Sequence, residues 1–167
     1  MLKVFGAGML AIVCVQLSAA EPTEKVKDML KPPMLDILTN AERIETFRIK
    51  EKDDGKVEVL AKGAIWKDEK AKAVTAILLD EKSYEWERKK LCDPQPGVMF
   101  KFYKGESSVE ARLCFECDMV VFKALDAKGK EVAIAVNDDD PARPKLVKLA
   151  KEALPDDKII QALKEQR

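Results

Sequence analysis

Cysteine is the residue type in this sequence that is best placed to do chemistry. Cys92, Cys114 and Cys117 lie in the middle of the chain, and the last two form a Cys-x-x-Cys motif. A disulfide from Cys92 to Cys114 or to Cys117 would cross-link a proline-rich loop to a strand. A Cys114–Cys117 bond would instead close a small ring of the redox type. The fourth cysteine, Cys14, lies near the amino end in a segment that we predict to be removed. Because three cysteines then remain, every pairing leaves one thiol over.

The surroundings of the motif bear on two other uses of these thiols. Redox enzymes usually place Cys-x-x-Cys at a helix N-terminus, but here strand-like residues follow Cys117, and Glu116 and Asp118 disfavour a thiolate. A zinc site would need a fourth ligand, from Asp93 or Asp118, or an open position. We predict a structural disulfide with one buried thiol, and no metal, cofactor or catalytic residue. A redox or metal-binding thiol site built on the three cysteines is the alternative.

The chain contains no histidine. This absence removes Ser-His-Asp and Cys-His catalysis, histidine-ligated metal sites and the histidine of the c-type haem motif. No nucleophile motif or phosphate-binding loop replaces them, so the sequence favours a protein that is not an enzyme.

The first twenty residues have the three parts of a secretion signal. Lys3 supplies a positive start, an almost wholly apolar run follows to Leu17, and Ser18, Ala19 and Ala20 are small. The apolar run is short for a membrane span, which needs about 20 residues. We therefore predict a signal peptide at residues 1–20, cleaved after Ala20. A lipid anchor at Cys14 is a minor alternative.

Removal of this leader would leave residues 21–167, a length that suits a single domain. Lys3 is the only charged residue lost, so the mature chain would carry 29 basic and 30 acidic residues. This balance predicts no nucleic-acid partner. The mature chain also has no apolar stretch long enough to span a membrane.

Hydrophobic periodicity predicts the elements that position the cysteines. The pattern predicts helices at residues 24–30, 34–41, 68–80, 144–154 and 158–164. It predicts strands at residues 44–51, 57–66, 83–91, 98–103, 109–114, 119–125 and 131–136. Two prolines and a glycine make residues 93–97 a loop. The fold class is therefore α+β, with an antiparallel sheet of about five to seven strands and helices packed on it.

Three consecutive aspartates precede the helix at residues 144–154. Asp138, Asp139 and Asp140 could bind calcium, but the glycine and distal glutamate of a calcium loop are missing. We instead predict that Asp140 caps the helix after Pro141.

The cysteines belong to a longer pattern of residues. The pattern comprises Ser83-Tyr84; the loop Cys92-Asp93-Pro94-Gln95-Pro96-Gly97-Val98 with Phe100 and Phe102; the strand Leu113-Cys114-Phe115-Glu116-Cys117-Asp118; Asp140-Pro141-Ala142-Arg143-Pro144; and Leu154-Pro155-Asp156-Asp157. Over residues 35–163 the chain resembles an uncharacterised family of small exported bacterial proteins and lipoproteins with this Cys-x-Pro-x-Pro-Gly loop and Cys-Phe-x-Cys strand. The resemblance implies an envelope location and no reaction.

Together these features predict an exported protein of the periplasm or cell envelope. Its mature domain would be a non-enzymatic binding or structural module. The sequence identifies no ligand and no partner.

Overall fold

The computed structural model describes residues 21–52, 55–87 and 90–166. The predicted signal peptide, its cleavage site and Cys14 lie outside these residues. The described chain forms one six-stranded antiparallel sheet with helices packed on it, which confirms the α+β class.

The sheet consists of six strands in the order β2-β1-β3-β4-β5-β6. The strands are β1 (Arg43–Glu51), β2 (Val57–Trp66), β3 (Val98–Lys104), β4 (Ser107–Cys114), β5 (Met119–Leu125) and β6 (Glu131–Asp138). Strands β3 to β6 form a meander of neighbouring strands. The β1–β2 hairpin joins this meander through β1, which pairs with β3.

Within the described residues, four α-helices accompany the sheet: α1 (Glu24–Thr39), α2 (Asp68–Leu79), α3 (Arg143–Ala153) and α4 (Lys158–Gln161). Helix α1 crosses β3 to β6, α2 lies against β1, and α3 lies against β2. The break predicted inside α1 is present, because Lys31 leaves the helical conformation at φ 59. The two prolines then begin the second half of the helix, where their missing N–H groups cost nothing.

One face of the sheet forms the main core against the helices. The strand register places Thr46, Phe100, Ala111, Phe122 and Ala135 in one row across five strands. The two phenylalanines are fully buried. Side chains at every second position of these strands therefore share the face that the helices cover.

The opposite face carries charges and a smaller apolar cluster. Glu110 lies between Lys101 (3.0 Å) and Arg112 (2.6 Å). Burial would raise the pKa of Glu110, but hydrogen bonds from Arg112 and Lys101 outweigh burial and hold that pKa below its usual value. Phe47 and Ile49 are buried in a cluster with Met99 that is separate from the main core.

The strand predicted at residues 83–91 is wrong for the described residues. Glu81–Ser83 is a short 3-10 helix, and Glu85 forms only an isolated bridge with Asp138. The aromatic residues of this segment bind carbonyls of α2 and of the 3-10 helix instead of pairing in the sheet. Tyr84 donates a hydrogen bond to the Leu78 carbonyl, and Trp86 donates one to the Glu81 carbonyl.

Candidate functional site

The three cysteines meet at one end of β4. Cys92 and Cys117 form a disulfide with their Cα atoms 6.4 Å apart, and Cys114 is a free thiol that is only 1% exposed. The structure thus selects one of the pairings that the sequence left open. With a sequence separation of 25, the cross-link is expected to stabilise the fold by about 3.5 kcal/mol through loss of unfolded-chain entropy.

The turn between β4 and β5 positions the two cysteines of the motif. Cys114 ends β4 opposite Met119, and Phe115 to Asp118 make the connection. Asp118 adopts a positive φ of 52, which a short polar side chain tolerates better than most. The motif therefore lies on a β-hairpin. This agrees with the strand-like residues after Cys117, which argued against a helix N-terminus.

The proline-rich loop at residues 93–97 lies between the disulfide and β1. Gly97 donates a hydrogen bond to the Leu113 carbonyl (2.9 Å) and accepts one from the Ile49 N–H (3.0 Å). Arg48 Nη1 also donates to the Gly97 carbonyl at 2.6 Å. A Cβ atom at residue 97 would lie 2.9 Å from this nitrogen, so glycine permits the close approach.

Arg143, at the start of α3, binds the β4–β5 turn. Its guanidinium donates hydrogen bonds to the Phe115 carbonyl (2.6 Å), to the Asp118 carboxylate and to the Lys164 carbonyl (3.0 Å). Both Arg143 and Asp118 are buried. A buried ion pair of this kind is sensitive to the loss of either partner.

Lys90 binds the same turn through its ammonium group. It donates hydrogen bonds to the Cys117 carbonyl and to the Asp140 carboxylate, each at 2.5 Å. The predicted capping role of Asp140 is therefore wrong. Asp140 is the first residue of a short 3-10 helix (Asp140–Ala142) whose N-cap is Asp139, and its carboxylate pairs with Lys90.

Asp139 is the most perturbed acid near the disulfide. Its side chain is buried, and its N–H donates to the Asp118 carbonyl at 2.9 Å. Burial, followed by the charges of Asp118 and Asp140, raises the pKa of Asp139 to about 8. Burial also raises the pKa of the neighbouring Asp138.

The described residues contain no group of three or more cysteine and acidic side chains arranged to hold a metal ion. Two of the three candidate thiols are joined to each other, and Asp118 is bound by Arg143. In this disulfide-bonded state, the site has no donor set for the tetrahedral centre considered from the sequence.

A cleft of about 280 Å³ lies beside the proline-rich loop. Most of its lining is apolar. Its apolar side chains are those of Ile49, Leu60, Pro96, Phe115, Ile159, Ile160 and Leu163. Arg48 also lines the cleft and pairs with Asp157, the residue that caps α4.

Sequence reasoning identified all three cysteines but missed the two cationic side chains that bind the β4–β5 turn. Lys90 and Arg143 lie 27 and 28 residues from the carbonyls that they bind. The one available signal was the acidic character around Cys117, because buried carboxylates such as Asp118 require a cationic partner.

No family model matches the chain, and no curated protein or solved structure matches it significantly. Among the described residues, no helix combines the length and the apolar character needed to cross a lipid bilayer.

Proposed function

We propose that the chain is an exported protein of the periplasm or cell envelope, whose mature domain is a non-enzymatic binding or structural module. The observation that carries the proposal is the Cys92–Cys117 disulfide in a chain that begins with a secretion-type leader. Disulfides persist mainly in oxidising compartments, so the two features support the same location. The resemblance to small exported bacterial proteins and lipoproteins is part of this proposal.

The charged groups around the disulfide favour a structural role. Arg143 and Lys90 direct their donors to backbone carbonyls and to partner carboxylates. Groups that bind backbone carbonyls in this way stabilise a turn, whereas catalysis needs groups that can reach a substrate. The mainly apolar cleft beside the loop is the surface that we assign to binding, since ligand sites are usually concave and apolar with few polar groups.

A thiol site built on Cys92, Cys114 and Cys117 is the second candidate. One observation favours it: the free Cys114 thiol packs in the same buried cluster as Cys117. A third thiol next to a disulfide is the arrangement from which thiol exchange begins.

The test is to express the full chain with a carboxyl-terminal tag in a Gram-negative host. The mature protein is purified without reductant, and its mass, thiol content and bound metal are measured. We expect a chain that begins at Glu21 in the periplasmic or envelope fraction, with one free thiol and no metal. A leader variant, Ile12→Arg, should retain Met1 and stay in the cytoplasm, while Cys14→Ser should be processed normally.

Two results would contradict the proposal. An unprocessed cytoplasmic product from the unmodified chain would contradict export. Three free thiols with a bound metal ion would contradict the structural disulfide and support the second candidate. Loss of membrane association in Cys14→Ser would assign the lipid anchor instead of cleavage after Ala20.

A further inference from the structure

We propose that Cys114 exchanges with the Cys92–Cys117 disulfide, so that the free thiol moves from the core to the surface and Cys92 becomes a modification site. Exchange requires the disulfide but not the export route, so this inference is independent of the proposed location. It assigns a chemical role to Cys114, the one cysteine of the described residues that lies outside the disulfide.

The positions of the three sulfurs carry the inference. Cys114 and Cys117 flank the two residues Phe115 and Glu116 and pack in one buried cluster with Met119. The Cys114 sulfur also accepts a hydrogen bond from the Gln95 N–H at 3.3 Å. Gln95 follows Cys92 by three residues, a reach of about 10 Å at most. The free thiol therefore lies between the turn that carries one end of the disulfide and the loop that carries the other.

The chemistry balances without any added oxidant or reductant. The Cys114 thiol gives its proton to solvent, and its sulfur attacks the Cys117 sulfur. A Cys114–Cys117 bond forms, the Cys92–Cys117 bond breaks, and Cys92 leaves as a thiolate that takes up a proton. The protein then contains the same number of disulfides and thiols as before.

The difference in exposure between the two ends of the disulfide favours attack on the Cys117 sulfur and release of Cys92. Cys117 is buried and its turn is held by Lys90 and Arg143, whereas Cys92 is exposed next to the exposed Leu91. Release of Cys92 places the departing thiolate in water, where it is solvated. Release of Cys117 would leave a thiolate in the core beside Asp118.

Native alkylation followed by peptide mapping tests the exchange. The chain, purified without reductant from the exporting host, is treated with iodoacetamide at pH 8, then acidified, unfolded and cut with trypsin. Cleavage after Lys90, Lys101, Arg112 and Lys123 releases peptides 91–101 and 113–123. Without exchange these two peptides are linked. After exchange, 91–101 carries the alkyl group on Cys92, and 113–123 contains an internal disulfide.

We expect alkylated Cys92 together with internally bonded peptide 113–123. The control Cys114→Ser should give only the linked peptides and no label on either. Label on Cys114 with the peptides still linked, label on Cys117, or no label would each overturn the proposal. A second variant, Cys92→Ser, should form the internal bond in 113–123 under mild oxidation, and failure to form it would also overturn the proposal.

Discussion

Replacement of Asp139 by asparagine probes the buried acid beside the disulfide. Asparagine keeps the size of the side chain but cannot ionise. The group faces the carboxylates of Asp118 and Asp140, the ammonium of Lys90 and the hydroxyl of Tyr84, whose pKa Asp139 helps to raise. Because the folded protein holds the pKa of Asp139 at about 8, the protonated carboxyl is the stable form inside the native structure at neutral pH.

The sign and size of the effect follow from linkage. Below the unfolded pKa, near 3.8, both states are protonated and Asp139 has no effect on the free energy of unfolding. Between this value and about pH 8, only the unfolded state ionises, so stability falls by about 1.4 kcal/mol per pH unit. The Asp139→Asn variant lacks this loss. Its free energy of unfolding, relative to that of wild type, should therefore rise by about 4 kcal/mol between pH 5 and pH 8. Local opening that hydrates the carboxylate makes this figure an upper limit.

Urea unfolding monitored by tryptophan fluorescence measures the effect at pH 5, 6, 7, 8 and 9. Both proteins carry Cys114→Ser, so that thiol exchange does not contribute at high pH. Asp156→Asn, which removes an exposed carboxyl, is the matched control and should show no such trend. A difference between Asp139→Asn and its parent that stays constant from pH 5 to pH 8 would refute the reasoning.

Three further substitutions test the contacts described above. Arg143→Met leaves Asp118 buried without its cation and should lower the free energy of unfolding by about 3–5 kcal/mol in urea titrations. Gly63→Ala places a Cβ atom 2.5 Å from the Ala153 carbonyl oxygen, so α3 must shift and thermal unfolding should reveal a loss of about 1–3 kcal/mol. Phe122→Ala empties a fully buried site in the main core and should cost about 3–5 kcal/mol by the same urea assay.

Exposed positions on the same element or on the neighbouring strand provide controls for these three variants. Lys148→Met on α3, Lys62→Ala on β2 and Val132→Ala on β6 all change side chains with substantial exposure. Each control should stay within about 0.5 kcal/mol of wild type. If a core variant behaves like its control, the contact assigned to it does not stabilise the fold.

The strands could be predicted where apolar side chains alternate with charged ones. In β4, Val109, Ala111 and Leu113 face the helices while Glu110 and Arg112 face away, so alternation is unambiguous. The same rule failed for the described residues of the predicted strand at 83–91. There Tyr84 and Trp86 also alternate, but Tyr84 donates to the Leu78 carbonyl of α2 and Trp86 to the Glu81 carbonyl of the 3-10 helix, contacts that no local pattern reveals.

The candidate site could be predicted only as a set of residues. The sequence identified the three cysteines and two pairings for Cys92. The choice of Cys117 depends on the turn at Asp118 and on Lys90 and Arg143, which come from distant parts of the chain. Long-range contacts of this kind leave no periodic signal, so the connectivity could not be read from spacing.

The position of β1 between β2 and β3 has a consequence for how the chain folds. The β1–β2 hairpin and the β3–β6 meander are each made of short-range pairings. The β1–β3 pairing joins residues about fifty to sixty apart, such as Arg48 with Val98 and Arg43 with Tyr103. The entropy cost of closing so long a loop is incurred before the β1–β3 contacts stabilise the chain. Folding is slower for this reason. The connection from β1 to β3 spans residues 52–97, and Cys92 lies near its end. A path through the disulfide to Cys117 and back to β3 is longer than the direct chain, so the cross-link does not shorten this loop. Docking of the hairpin onto the meander is the step that we expect to limit the folding rate.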